Sequence, residues 1–193
     1  MTFEEIKSRL KKYTVGIAGA GGLGSNCAVA LARVGIGKLV IADFDVVSES
    51  NLNRQYFFRD QLGVKKVFAL KENINRINPT VQIETHDIKL NESNFVSIYK
   101  ECDIIVEAFD LAEMKKMLIE TCMTDLPEIP IVIGLGMAGY GDSNSIKVRR
   151  NENIYICGDE KTEISEQNLP LAPRVGIVAN MQANTVLEIL LNK

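Results

Sequence analysis

The sequence predicts a doubly wound α/β fold of Rossmann type, a mostly parallel sheet with helices on both faces and a C-terminal antiparallel hairpin. Three observations carry that expectation. Short β-rich runs alternate with helix-like runs along most of the chain, a rhythm that implies a parallel sheet covered on both sides. A glycine turn, Gly19-Ala20-Gly21-Gly22-Leu23-Gly24, sits between the first such run (Thr14 to Ala18) and the helix-like run Ser25 to Val34. That strand-turn-helix setting gives a G-x-G-x-x-G pattern its meaning. Asp43 follows about 20 residues downstream at the end of the second apolar strand, the spacing at which this fold sets an acid on a nucleotide ribose.

Each element has its own signal. Thr2 and Glu5 have the spacing of a capping box for a short helix reaching Lys12. Strand 14–19, helix 22–34 and strand 38–43 follow. Asp60 to Ile77 has helical periodicity, with Asp60 as N-cap and the Asn78-Pro79 step as its end. Val81 to Thr85, Asp103 to Glu107 and Ile131 to Leu135 read as strands, separated by helices near 93–100 and 111–123. After Gly139-Tyr140-Gly141-Asp142 the pattern changes to two short β-like runs, Ser145 to Arg149 and Asn153 to Cys157, an edge hairpin turning through Arg150 to Asn153. A polar loop spans 158–170, and Pro173 opens a long helix through Leu191. With no repeat or linker in the series, residues 1–193 are expected to form a single domain.

Composition narrows the function classes. At 193 residues and 46% apolar content the chain can bury a large core. A net charge of -3 and a pI near 5.4 give no bulk attraction to nucleic acid or anionic membrane. No run approaches the roughly 18 apolar residues needed to span a bilayer, and a basic-then-apolar signal layout is lacking, so a cytoplasmic protein is expected. Cys27, Cys102, Cys122 and Cys157 are widely spaced, which suits a reducing compartment. They form no Cys-x-x-Cys pair, so a Cys-ligated structural zinc is not expected.

The chemistry starts at the glycine turn. A tight turn needs backbone freedom, a diphosphate needs close backbone approach, and a helix N-terminus offers unpaired N–H groups. Gly19, Gly21, Gly22, Leu23 and Gly24 are therefore expected to hold phosphates, and Asp43 to accept from ribose hydroxyls. Asp45 either assists Asp43 with nucleotide or metal, or closes the loop after the second strand. Arg54, Lys66 and Asp110 have no task in hydride transfer, whereas a triphosphate gives each one. Two cations can neutralise phosphate oxygens, and a carboxylate can hold the Mg²⁺ that bridges them. The set fits nucleotidyl transfer from Mg-ATP better than an NAD-dependent oxidoreductase, which the glycine turn and Asp43 alone would serve.

Taken in order, the glycine turn, Asp43-Phe44-Asp45, Ser50-Asn51-Leu52-Asn53-Arg54-Gln55, Leu62-Gly63 followed by Lys66, and strand-terminal Asp110 resemble the ThiF/MoeB/HesA group of ubiquitin-activating-like adenylyltransferases. The resemblance runs from about Thr14 to about Ile133. It implies phosphates along Gly19 to Gly24, ribose on Asp43, a phosphate clamp of Asn51 and Arg54 joined by Lys66, and Mg²⁺ on Asp110. It also implies a reaction: the C-terminal Gly-Gly carboxylate of a small β-grasp carrier attacks the α-phosphorus of ATP, and pyrophosphate leaves an acyl-adenylate behind. The compact form without Cys-x-x-Cys looks like the short ThiF-type proteins of thiamine thiazole synthesis. The implied partner is then a ThiS-like sulfur carrier, and the implied assembly a homodimer.

Three departures from the family pattern stand out: the Cys-x-x-Cys pairs are missing, Arg9 is the sole arginine where many members carry Arg-Tyr-x-Arg-Gln, and Asp110-Leu111 replaces the usual Asp-Asn. The shortness of the chain, the missing pairs and Asp110-Leu111 keep a catalytically degenerate nucleotide- or carrier-binding module open as a second reading. Cys157, before Gly158-Asp159, is either a thiol that accepts the activated group or a small strand-end residue. His86 reads as a surface-turn histidine, and Lys147, Arg149 and Arg150 as a solvated face.

Overall fold

Local chemistry sets the first element in the computed structural model, which describes residues 1–192. Thr2 Oγ1 accepts the Glu5 N–H at 3.2 Å while Glu5 Oε2 accepts the Thr2 N–H at 2.7 Å, a reciprocal capping box that starts helix α1, Phe3–Leu10. The chain continues through β1 (Thr14–Ala18), α2 (Gly22–Arg33), β2 (Lys38–Ala42), α3 (Lys66–Ile77), β3 (Gln82–His86) and α4 (Glu92–Tyr99). Then come β4 (Ile104–Glu107), α5 (Ala112–Asp125), β5 (Ile131–Gly134), β6 (Lys147–Asn151), β7 (Ile154–Gly158) and α6 (Ala172–Leu191).

The seven strands join in one sheet of order β3-β2-β1-β4-β5-β7-β6, parallel except for the edge hairpin β6-β7. Side chains alternate across it. Val15, Ile17, Leu39, Ile41, Ile104 and Val106 pack with Leu23, Leu31, Leu70, Val178 and Val186, so α2, α3 and α6 cover one face. Val40, Ala42 and Ile105 pack with Phe95, Tyr99, Leu118 and Cys122, so α4 and α5 cover the other. The strand order reverses between β1 and β4, and the carboxyl ends there frame the crevice where such sheets bind ligands.

The doubly wound sheet and the hairpin are as the sequence predicts, with three local differences. The helix expected over 60–77 begins only at Lys66, and Asp60 lies within a 3-10 turn, Arg59–Gln61. Residues 63–66 are diverted. Gly63 takes φ +81°, its N–H donates to Val47 O at 2.9 Å, the Val47 N–H donates to Val64 O at 2.8 Å, and the Lys66 N–H donates to Asp45 O at 3.0 Å. These bonds to the segment after β2 consume the backbone groups a helix would need. His86 is the last residue of β3 rather than a turn residue, and Glu84 Oε1 lies 2.8 Å from its Nε2. The hairpin turns at Glu152-Asn153, with Glu152 at φ +53°, one to two residues beyond the expected strand ends. Arg149 is bidentate to Glu160 and Arg150 stacks on Tyr155, so the exposed cations of β6 are mostly occupied.

Candidate active site

The glycine turn is built by close approach. Gly19 follows β1 at φ +101°, its N–H donates to Ala42 O at 2.9 Å, and a Cβ there would lie 2.8 Å from Ala108 O. This one residue therefore locks β1 between the ends of β2 and β4, with a φ that side chains rarely adopt. A Cβ on Gly24 would collide with the Gly19 carbonyl. Gly21 is the N-cap of α2 with no side-chain cap, which leaves the first N–H groups of the helix without an internal acceptor.

Arg54 lies over this turn. A Cβ on Gly22 would be 3.6 Å from Arg54 Cγ, and Asn26 Nδ2 donates to both Gly22 O (2.7 Å) and Arg54 O (2.9 Å), pinning the two segments together. The Arg54 Nη1 donates to Ser50 O and Asn53 Oδ1. Asn51 contributes its Oδ1 to the Ser48 N–H at 3.0 Å, which holds the 3-10 turn Glu49–Asn51 that presents Arg54.

Asp43, Asp45 and Lys66 form a single chain of contacts. Asp43 Oδ2 accepts the Ala20 N–H at 2.7 Å, so this carboxylate is bonded directly to the glycine turn. Its Oδ1 accepts the Asp45 N–H at 2.8 Å, and Asp45 Oδ2 in turn pairs with Lys66 Nζ at 2.7 Å. Burial pushes the Asp43 carboxyl above its ordinary value, against the pull of the Lys66 cation and the two N–H donors. Asp45 thus serves the loop after β2 and holds the lysine. Asp110 is exposed just beyond β4, next to Phe109, whose ring carbon Cδ1 would be 3.5 Å from a Cβ on Gly19.

Cys157 does not join them. It is fully buried in β7, its Sγ 3.6 Å from Thr185 Oγ1, and burial raises its thiol to about 11 despite the Thr185 contact. That is the setting of a packing cysteine, not of a thiolate nucleophile. All four cysteines are free and buried, and among the described residues no three His, Cys, Asp or Glu side chains gather as metal ligands. Among the described residues no helix is long and apolar enough to cross a membrane.

Two buried ion pairs beside the strand ends escaped the sequence reading. Glu107, fully buried, accepts the Phe109 N–H at 2.6 Å and both oxygens meet Lys115 Nζ (2.9 and 2.8 Å), which also donates to Gly134 O at 3.0 Å. The pair ties β4, β5 and α5 beneath the Asp110 loop. A glutamate inside Ile104-Ile105-Val106-Glu107 is the one signal that pointed to it. Arg174 Nη2 pairs with Asp159 Oδ2 at 2.6 Å, Nη1 donates to Gly141 O, and the neighbouring Val175 Cγ1 would be 3.0 Å from a Cβ on Gly22. This pair anchors the start of α6 and the loops after β5 and β7 beside the glycine turn, and its partners are too far apart in sequence for a local pattern.

Comparison with known proteins bears on the family and the fold. The ThiF family model matches residues 2–193. The molybdopterin-synthase adenylyltransferase of Haemophilus influenzae is 32% identical over 193 residues, covering 96% of this chain and 77% of its own length. Ubiquitin-like modifier-activating enzyme 5 of Gallus gallus is 30% identical over 95% of this chain and 52% of its own. The E. coli tRNA N6-threonylcarbamoyladenosine dehydratase, solved in complex with ATP, superposes with a TM-score of 0.88 at 22% identity, covering 98% of this chain and 90% of that one. That likeness bears on the fold.

Proposed function

The chain belongs to the ThiF family, and from that premise we propose that it is an ATP-dependent adenylyltransferase acting on the C-terminal Gly-Gly carboxylate of a small ThiS-like sulfur carrier, in thiamine thiazole synthesis. The observation that carries the reading is the convergence on one uncapped helix end. Arg54 packs on Gly22, while Lys66 is linked through Asp45 to Asp43, which is itself bonded to the turn at Ala20. Two cations and a ribose-side acid around one phosphate turn suit a nucleoside triphosphate; a pyridine nucleotide would leave both cations without a task. The names of the adenylyltransferase relatives point the same way.

The reaction asks little acid–base work of the chain. A terminal carboxylate is ionised at neutral pH and needs no base to attack the α-phosphorus. What the residues supply is in-line positioning on the turn by Gly19 to Gly24, ribose anchoring by Asp43, and charge stabilisation of the leaving pyrophosphate by Arg54 and Lys66. Asn51 shapes the turn that presents Arg54. Asp110 is a lone exposed carboxylate, which suits Mg²⁺ because that ion draws most of its ligands from phosphate and water. When bound, Mg²⁺ neutralises charge across the phosphates. We read residues 1–193 as one adenylation domain. The proposed assembly is a homodimer, as the resemblance to the family implies.

The test is ATP–pyrophosphate exchange with Mg²⁺, with and without a Gly-Gly-tailed sulfur carrier, beside Arg54→Ala. Carrier-dependent exchange that the substitution abolishes is the expected result. ATP binding without exchange with any carrier would instead mark a degenerate binding module.

A further inference from the structure

Gln55 closes the Ser50 to Gln55 run, yet it has no part in the contacts described so far. Its backbone is fixed: the N–H donates to Asn51 O and the carbonyl accepts from the Phe57 N–H, both at 2.9 Å. Its side chain is packed away, with the residue only 9% exposed, and the amide carbonyl Oε1 is buried without a hydrogen-bond donor among the described residues. A carbonyl in that position destabilises the folded chain, because the water it gave up is not replaced. The other end of the amide faces the glycine turn, where a Cβ built on Gly21 would lie 3.9 Å from Gln55 Nε2. Gly21 is the uncapped N-cap of α2, so the amide and the free helix donors address the same ground.

We propose that Gln55 is a ligand-contacting residue of the nucleotide site, its amide held beside Gly21 to donate a hydrogen bond to a phosphate oxygen lodged on the turn. This rests on the reading of the turn as a phosphate site. A neutral donor suits the place. Arg54 and Lys66 already bring two positive charges, and an amide adds a bond of fixed direction without a third. Glutamate there would set a carboxylate against the phosphates. Methionine would fill a similar volume with neither the donor nor the orphaned carbonyl.

The experiment is calorimetric titration of Mg-ATP into the wild type, Gln55→Met and Gln55→Glu, with the unfolding temperature of each measured in the absence of nucleotide. Gln55→Met is expected to unfold at the same or a higher temperature without nucleotide, while its ATP affinity falls by about 10- to 100-fold, the range for a hydrogen bond to a charged group. Gln55→Glu is expected to fall further. Wild-type affinity in Gln55→Met overturns the proposal, as does an affinity loss that comes with a lowered unfolding temperature, which marks a packing role. A wild type that binds no ATP overturns the reading of the site, and this inference with it.

Discussion

Lys66 Nζ lies 2.7 Å from Asp45 Oδ2, and the two side chains are unequally exposed, 7% for the lysine and 47% for the aspartate. A buried lysine is thus held ready by a carboxylate that water can still reach. Because the same Asp45 donates its N–H to Asp43, the cation and the Asp43 carboxylate are set by one short segment. A triphosphate on the turn would offer Lys66 an alternative anion.

The exchange of partners is testable at Asp45. Asp45→Asn leaves Lys66 buried without its carboxylate and is expected to lower stability without nucleotide by about 1 kcal/mol, a value discounted because Asp45 is half exposed. Saturating ATP is expected to shrink that loss, since phosphate replaces the missing charge. Urea unfolding of wild type and variant, with and without ATP, reads it directly. Lys66→Met in the same series is expected to lower carrier-dependent exchange by roughly 100-fold or more, the scale of losing one transition-state charge contact.

Gly24→Ala attacks the turn itself. The new methyl would meet the Gly19 carbonyl, and that carbonyl belongs to the residue locking β1 to β2 and β4. Moving backbone in a packed core costs about 1–3 kcal/mol. A lower urea midpoint together with lost ATP binding is expected; intact ATP binding would show that the turn does not hold the phosphates.

Beneath Asp110, Glu107 and Lys115 give a third prediction. Burial pushes the Glu107 carboxyl upward, and Lys115 opposes that by facing both of its oxygens. Removing one partner by Lys115→Met strands a buried carboxylate, for an expected loss of about 3 kcal/mol, while the double change with Glu107→Gln recovers much of it. A double-mutant cycle in urea measures the coupling, and a coupling near zero would rule out the pair as what fastens β4 to α5.

Much of this was legible beforehand for a definite reason. Gly19 to Gly24, Asp43 and the Ser50 to Gln55 run are local patterns, and their meaning comes from the strand or helix they adjoin, which periodicity reveals. The start of α3 was not legible, because residues 63–66 pair with a segment almost twenty residues upstream, and Asp60 only resembles a cap. The burial of Cys157 against Thr185 was equally hidden, since it depends on how α6 folds back over β7. The Asp159–Arg174 pair is long-range in the same sense.

Cys157 yields a fourth prediction from its environment. With the thiol pushed up to about 11, almost none of it is thiolate at neutral pH. Cys157→Ala is expected to keep carrier-dependent ATP–pyrophosphate exchange within about twofold while losing about 1–2 kcal/mol of stability to the small cavity. Mass spectrometry of wild type after turnover with carrier is expected to show no thioester at this position; an adduct there would require β7 and α6 to part during the reaction.

The acid limb of the stability curve should carry the mark of Asp159. Burial alone would raise this carboxyl, but the N–H groups of Thr162 and Lys161, the Thr162 hydroxyl and Arg174 together draw it down from 3.8 to about 2. The folded chain therefore binds this proton less tightly than the unfolded chain does. The resulting stabilisation is present in full above about pH 4 and is lost as pH falls towards about 2, for a total of about 2 kcal/mol. Asp43 works in the opposite sense: its raised carboxyl favours the folded state while protonated, and that contribution fades as pH rises through its titration. Asp159→Asn isolates the first effect. It should cost about 3 kcal/mol at pH 7 by leaving the Arg174 guanidinium buried beside a neutral group, and it should flatten the dependence between pH 4 and 2. Chemical denaturation at several pH values in that window measures both. A variant with the wild-type slope would assign the acid sensitivity to other carboxylates and leave the clamp at the start of α6 without a part in it.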